Sequence, residues 1–230
     1  MERFDVAIVG GGPAGSAAAH AAASAGASAV VLEKGVPRSD RPDRLGPDST
    51  DAAGILDYWV DIMGTHPDEM PDDVVLGTLD RAEFIGPTES LTMRSTGIGS
   101  SYDHFGFCMH RARFDDFLRD RAADAGADYR VGASVRGVET DLDAADGPRH
   151  RLELAGADDV GADAVILADG PQRQVTSGVL DDHLPFDVTD RLSTRETNHI
   201  AYQEYRRLPD PVFEEVAGAI KFWWGHMPGH

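Results

Sequence analysis

The stretch VAIVGGGPAGSAAAHAAASAGASAVVLE, residues 6 to 33, constrains the fold more than any other part of the chain. An apolar strand, Val6 to Val9, runs into Gly10-x-Gly12-x-x-Gly15. An alanine-rich helix follows, then a turn at Gly26, then a second apolar strand, Ala29 to Leu32, that ends on Glu33. Three spaced glycines alone carry little weight. Inside a complete strand–turn–helix–strand unit, with an acid about 20 residues downstream, they mark a dinucleotide-binding crossover. Gly10 permits the tight turn off the strand. Gly12 has no side chain, so a pyrophosphate can approach the backbone. Gly15 lets helix and strand pack closely. Pro13 sits at the helix start, where a missing N–H does little harm, with Ala14 beside it. The helix N-terminus offers free N–H groups and partial positive charge to phosphates. Glu33 is placed to accept hydrogen bonds from ribose hydroxyls, and its charge repels a 2′-phosphate. The expected nucleotide is therefore FAD or NAD, not NADP. The plainer alternative is a strand–helix unit with a glycine turn and no ligand.

The remaining composition narrows the setting. A chain of 230 residues can bury a sizeable core as one domain or two small ones. It has no run of about 18 apolar residues, so no spanning helix is expected, and peripheral contact with a membrane stays compatible with the sequence. The N-terminus lacks a basic segment followed by a hydrophobic run, so no signal peptide is read there. Cys108 is the single cysteine, which excludes an internal disulfide and a cysteine-based metal site. A cytoplasmic setting fits. Forty Asp and Glu against 21 Lys and Arg give a formal charge of -19, which argues against a nucleic-acid partner. The acids are scattered through the loops. At molar salt the screening length is about 3 Å, so such a surface reads as adaptation to a saline cytoplasm.

Along the chain, Ser49-Thr50-Asp51 reads as a cap for a helix over residues 52 to 63. A strand is expected over 73 to 84, with residues 91 to 94 as its partner, and another over 105 to 109. In residues 110 to 127 (HRARFDDFLRDRAADAGA), Phe114, Phe117, Leu118 and Ala122 share one helical face, and Gly126 is a natural terminator. Strands are expected over 129 to 139, 149 to 154 and 163 to 168. The last ends in Asp169-Gly170, which places a carboxylate at the sheet edge where ligands bind in open α/β folds. Residues 197 to 207 and 218 to 226, rich in aromatics, read as strands of an antiparallel sheet.

Three elements now stand in order: GGGPAG with Glu33, the Arg111-x-x-Phe114-Asp115-x-x-Leu118 helix, and Leu167-Ala168-Asp169-Gly170. In this order and spacing the chain resembles FAD-dependent oxidoreductases of the aromatic-hydroxylase type, and among them the geranylgeranyl reductase family. The resemblance implies an α/β fold: a Rossmann-like FAD-binding domain with a parallel core sheet, plus a partial antiparallel substrate-binding sheet. It assigns residues 1–72 and 105–175 to the first and 73–104 and 176–230 to the second. It implies that Gly10, Gly12, Pro13, Ala14 and Gly15 hold the pyrophosphate. Glu33, followed by Lys34, serves the ribose. Arg111 contacts the flavin from the side, and Val135 meets adenine through its backbone. Asp169 and Gly170 lie near the pyrophosphate and any visiting nicotinamide nucleotide.

The chain also departs from the family pattern. Arg44, Leu45 and Gly46 occupy the loop where the family often has a Cys-Gly pair, so a thiol role there is not expected. Arg38, Arg41 and Arg44 read equally as a phosphate grip or a solvated loop. The Ser and Arg usual after Asp-Gly are replaced by Pro171-Gln172-Arg173. The family's aromatic signature has only Phe222-Trp223-Trp224 as a counterpart. Its third fingerprint, which closes over the flavin ring, has no counterpart after residue 170. The expectation is a truncated chain whose ADP half-site is present and whose ring half-site is incomplete.

The function expected from the resemblance is reduction of prenyl-lipid C=C bonds by FAD, with NAD(P)H or a small carrier as donor. The alternatives are a flavin monooxygenase acting on an aromatic, and a nucleotide-binding module without catalysis. Oligomeric state is not legible. No metal site is expected: His226 and His230 are separated by Gly and Pro, and His104, Cys108 and His110 read as a buried thiol beside histidines.

Overall fold

The computed structural model describes residues 1–36, 52–95, 100–144, 147–192 and 206–225. It divides into two compact units, Met1–Gly46 with Asp115–Tyr202, and Pro47–Phe114 with Gln203–His230.

The first unit is built on β1 (Glu2–Val9), α1 (Pro13–Ser24) and β2 (Ala29–Glu33). Val6 and Ile8 point to one face of β1, and Ala7 and Val9 to the other. Both faces are apolar because both are covered, as a parallel strand requires. On one side Ile8, Ala29 and Val31 pack against Ala19 of α1 and Ala122 and Ala127. On the other, Ala7, Val9, Val30 and Leu32 pack with Leu152, Val160 and Ala162.

The remaining elements of the unit follow. Helix α3 (Arg111–Asp124) begins in the second unit and leads to β8 (Asp128–Val131). Then come β9 (Val135–Thr140), β10 (His150–Leu154) and β11 (Val160–Leu167), and the helices α4 (Gln174–His183) and α5 (Val188–Leu192). The six strands lie in the order β8-β2-β1-β11-β10-β9. β8, β2, β1 and β11 run parallel, while β9 and β10 add antiparallel pairs. From β1 the chain goes first to β2 on one side and later to β11 on the other. That reversal makes the carboxyl ends of β1 and β11 the switch point where open α/β sheets bind ligands.

Glycine stops both long helices in the same way. Gly26 has φ 86° and Gly126 has φ 103°. Their amides reach back to Ala23 and Ala123, and those of Ala27 and Ala127 reach Ala22 and Ala122. This paired bonding satisfies the last carbonyls of each helix.

The second unit holds two three-stranded sheets. In one, β7 (Gly106–His110) lies between β3 (Ala52–Leu56) and β4 (Val75–Leu79), all antiparallel. Phe107 and Leu79 are buried in this unit, as is Val60 of α2 (Asp57–Met63). In the other, β5 (Arg81–Ile85) lies between β6 (Ser90–Arg94) and β12 (Ala219–Trp223); α6 (Asp210–Val216) precedes β12.

Several expectations are corrected. Residues 52–56 are a strand, not the first turns of a helix, because they pair along the length of β7; tertiary pairing outweighs alanine's helical preference. The strand expected over 73–84 is two strands. At Asp80 the chain leaves β4, and the amides of Asp80 and Arg81 both donate to the Gly218 carbonyl beside β12. The strand expected over 129–139 is also two. Gly132, at φ 69°, turns the chain after β8 has paired with β2. β12 joins β5 in parallel, so that sheet is mixed, not antiparallel. The compact units place residues 52–72 and 105–114 with the second unit, where β3 and β7 share a sheet, and residues 176–192 with the first. The strand expected over 197–207 lies almost wholly outside the described residues, as do the cap at 49–51 and Arg38, Arg41, Arg44, Leu45 and Gly46.

Candidate functional site

The two fingerprints meet at the switch point. Gly10 follows β1 with φ 99°, and a Cβ there would collide with the Ala168 carbonyl just past β11. The Ala168 amide donates to the Val9 carbonyl at 2.8 Å, and the Gly10 amide to Leu32 at 2.9 Å. A Cβ on Gly15 would clash with the Gly10 carbonyl oxygen. These two glycines are therefore required by protein packing alone.

Gly12 differs. It has φ -72°, a conformation open to any residue, and a Cβ there would meet nothing within 4 Å. The space above Gly12 is thus open in a turn whose other glycines are tightly packed. Pro13 and Ala14 open α1 directly behind it, and the N-cap residue, Gly12, has no side chain to cap the helix. Nor does an acidic residue occupy its first turn, so the partial positive charge and the free N–H groups stay available. A cradle that a side chain would fill, at a helix N-terminus, fits a pyrophosphate.

Glu33 ends β2 and ties the turn together. Its Oε2 accepts from the Gly11 amide at 2.6 Å and its Oε1 from the Gly35 amide at 2.5 Å. Each carboxylate oxygen has a further lone pair, so the group can hold the loop and still accept from ribose hydroxyls. The Lys34 ammonium lies 3.5 Å from Gln172 Oε1, next to the second fingerprint. Val135 begins β9, half-buried, and pairs with Leu154.

Asp169 does something the sequence did not suggest. Its carboxylate accepts from the amides of Val175 at 2.8 Å and Thr176 at 3.2 Å, and from the Thr176 hydroxyl. It caps α4, whose preceding residue Arg173 sits at φ 49°. The carboxylate orders the Gly170–Arg173 turn beside the nucleotide loop rather than pointing freely into the site.

Two further residues join this site, and sequence reasoning missed both. Tyr129 of β8 donates to the Gly11 carbonyl at 2.5 Å. Ser16 Oγ lies 3.1 Å from the same carbonyl and 2.9 Å from the Tyr129 hydroxyl. The only signal for Ser16 was its place directly after the third glycine. For Tyr129 there was none, since the contact spans 118 positions. Burial pushes the Tyr129 phenol above its ordinary value, so it remains a donor at neutral pH.

Arg111 stands at the start of α3 in the second unit. In the same unit Cys108 lies half-buried in β7, and burial raises its thiol, as suits a packing residue more than a nucleophile. His104 pairs with Asp80 at 3.2 Å instead of with Cys108. Among the described residues no group of three or more His, Cys, Asp or Glu could hold a metal, and His226 and His230 lie outside them.

The sheet β6-β5-β12 has one wholly apolar face. Register aligns Met93, Ala82 and Ile220 in one row and Leu91, Phe84 and Phe222 in the next. Ala82 is buried, and Phe84 and Phe222 stack at 4.8 Å. Leu91 is 58%, Met93 47% and Phe222 38% exposed. The opposite face is mixed, with Glu83 between Arg81 at 2.5 Å and Lys221 at 3.0 Å, and these partners hold its carboxyl below the usual range. Trp223 falls on that mixed side, 61% exposed.

Comparisons with known proteins agree with this geometry. Residues 5–81 match the FAD binding domain family. A digeranylgeranylglycerophospholipid reductase of Thermoplasma acidophilum is 34% identical over 174 residues, covering 74% of this chain and 40% of the relative. An uncharacterized protein in the nifH2 5′ region of Methanosarcina barkeri is 30% identical over 177 residues, covering 75% of this chain and 85% of that one. Among solved structures, a geranylgeranyl bacteriochlorophyll reductase-like protein of T. acidophilum matches with TM-score 0.56 and 27% identity, over 76% of this chain and 41% of that one. The myxobacterial chondrochloren halogenase CndH, a FAD-dependent halogenase, also matches at TM-score 0.56 with 25% identity, over 76% of this chain and 39% of that one. The chain spans about two fifths of the length of the reductases it matches. Fold and nucleotide loop define a FAD-dependent flavoprotein. Within that class the chain is similar to the digeranylgeranylglycerophospholipid reductases and to a geranylgeranyl bacteriochlorophyll reductase-like protein.

Proposed function

We propose that this protein reduces carbon–carbon double bonds of a prenyl lipid. The observation that carries the reading is the apolar face of β6-β5-β12, formed by Leu91, Met93, Phe84 and Phe222 in a chain similar to digeranylgeranylglycerophospholipid reductases. A prenyl chain offers only apolar surface, and removing such surface from water yields about 25 cal/mol per Å². Exposed leucine, methionine and stacked phenylalanine supply a matching surface without polar groups to desolvate.

In the first unit, Gly12, Pro13, Ala14 and the N-terminus of α1 would hold the FAD pyrophosphate, with Gly10 and Gly15 shaping the turn. Glu33 would hold the ribose, Lys34 would flank it, and the Val135 backbone would meet adenine. Asp169 and Gly170 would form the adjoining wall. Arg44 belongs to the same proposed set on resemblance alone. FAD, once reduced by a nicotinamide nucleotide or a small electron carrier, supplies the hydride. The chain's own part is to bind, orient and exclude water; no side chain is assigned as acid or base.

The test is incubation of the protein with FAD, dithionite and a geranylgeranyl lipid. A mass gain of two hydrogens per double bond is expected, and an unchanged lipid mass overturns the reading. The likeness to CndH, a FAD-dependent halogenase, supports keeping one second reading, a flavin-dependent monooxygenase that hydroxylates an aromatic substrate. It predicts substrate-stimulated oxygen uptake with NAD(P)H, and it falls if no aromatic compound stimulates uptake.

A further inference from the structure

The peptide between Gly11 and Gly12 is flanked by two residues without a Cβ. Nothing intrinsic fixes its orientation, since glycine rotates freely through backbone regions closed to other residues. In this structure that region is clamped from three sides. The Gly11 amide donates to Glu33 Oε2 at 2.6 Å, and the Gly11 carbonyl accepts from Tyr129 at 2.5 Å with Ser16 Oγ 3.1 Å away. A Cβ on Gly11 would collide with the Tyr129 hydroxyl, so the phenol is seated directly against the turn. Ser16 is fully buried in α1, and its single proton can serve the Gly11 carbonyl or the Tyr129 oxygen.

The consequence follows from peptide geometry. In a trans peptide the C=O of one residue and the N–H of the next point in opposite directions. Drawing the Gly11 carbonyl inward to Tyr129 and Ser16 turns the Gly12 N–H outward. That is the residue above which the structure is open. If the peptide flipped, the same space would face a carbonyl oxygen, which repels an anion.

We propose that Tyr129 is a positioning residue of the nucleotide site, which with Ser16 locks the Gly11–Gly12 peptide so that its N–H faces the pyrophosphate. The inference rests on the reading of this loop as a FAD pyrophosphate cradle. Tyr129 acts through the backbone and touches no cofactor atom itself. The buried, raised phenol keeps its proton and so keeps donating at neutral pH.

The experiment uses the full chain and measures ADP and FAD affinity by titration calorimetry, together with the melting temperature without ligand. Tyr129→Phe removes one oxygen and keeps the ring that packs beneath the turn. It is expected to weaken ADP and FAD about tenfold, one to two hydrogen bonds' worth, with the ligand-free melting temperature unchanged. Ser16→Ala, the second variant, is expected to weaken both ligands about threefold. The double variant should fall short of the product of the single effects, because both groups hold one carbonyl. ADP affinity within twofold of wild type in Tyr129→Phe overturns the proposal. So does a loss of affinity matched by a drop in ligand-free melting temperature in both single variants, which marks a purely structural role. If the wild type itself binds neither ADP nor FAD, the cradle reading fails, and the proposal with it.

Discussion

The two units use their apolar residues differently. In the first, the strands that carry the nucleotide loop are covered on both faces, and Ala7, Ile8, Val30 and Val31 are fully buried. In the second, the sheet β6-β5-β12 turns six apolar side chains to one face and leaves Leu91, Met93 and Phe222 substantially exposed. A covered sheet spends its hydrophobic surface on its own stability and binds its ligand through backbone and glycine. A partly uncovered apolar face, with Ala82 buried and Leu91, Met93 and Phe222 open, has surface left for something else. On the proposed reading the contrast gives each half of the chemistry a place: polar nucleotide at a loop edge, apolar substrate on a sheet face.

Four substitutions or conditions put pressure on that contrast. The largest effect is expected from Phe107→Ala, which empties the core of the β3-β7-β4 sheet. It should destabilise the second unit by about 3–5 kcal/mol in thermal or urea unfolding. Its ADP affinity should remain near that of wild type; joint collapse of both would show that the two units do not divide their roles. Gly15→Ala comes next, because its Cβ clashes with the Gly10 carbonyl. It should cost roughly 1–3 kcal/mol as overpacking and abolish ADP binding, both readable in one ligand-dependent melt. Leu91→Asp, on the exposed face, should change stability by no more than about 0.5 kcal/mol. It should lower turnover of a geranylgeranyl lipid about tenfold, as expected from losing roughly 1.4 kcal/mol of apolar contact. Unchanged turnover would remove the substrate role from this face.

The smallest effect is alkaline. The Tyr129 phenol is raised above its ordinary 10.0 by burial, so the folded state holds this proton more tightly than the unfolded chain. The cost of ionising the buried phenol is absent below pH 10.0 and grows as pH rises from there through the folded value. Unfolding curves of wild type should therefore show a falling stability above that pH which Tyr129→Phe lacks.

Much of the first unit was legible in the sequence, because its determinants are local. Gly10, Gly12 and Gly15 sit within six residues, Glu33 closes the same crossover, and Gly26 and Gly126 end their helices by backbone geometry alone. What escaped depended on contacts between distant segments. Ala52 to Leu56 has a helical composition, yet it pairs with β7 50 to 58 positions away. Asp169 is expected near the pyrophosphate, but its capping of Val175 and Thr176 depends on a turn that composition does not announce. Tyr129 looked like an ordinary strand residue until β8 was placed beside β2. The three fingerprint glycines divide: Gly10 and Gly15 serve packing, and of the three Gly12 alone is open.

That division allows the most direct test of the central claim, that the open space above Gly12 is the FAD pyrophosphate site. Gly12→Ala adds a methyl group that meets no protein atom within 4 Å, in a backbone conformation any residue adopts. The account predicts a melting temperature without ligand equal to that of wild type, and a loss of at least about tenfold in FAD and ADP affinity, or about 1.4 kcal/mol. A Gly12→Ala protein that binds FAD as tightly as wild type would contradict it.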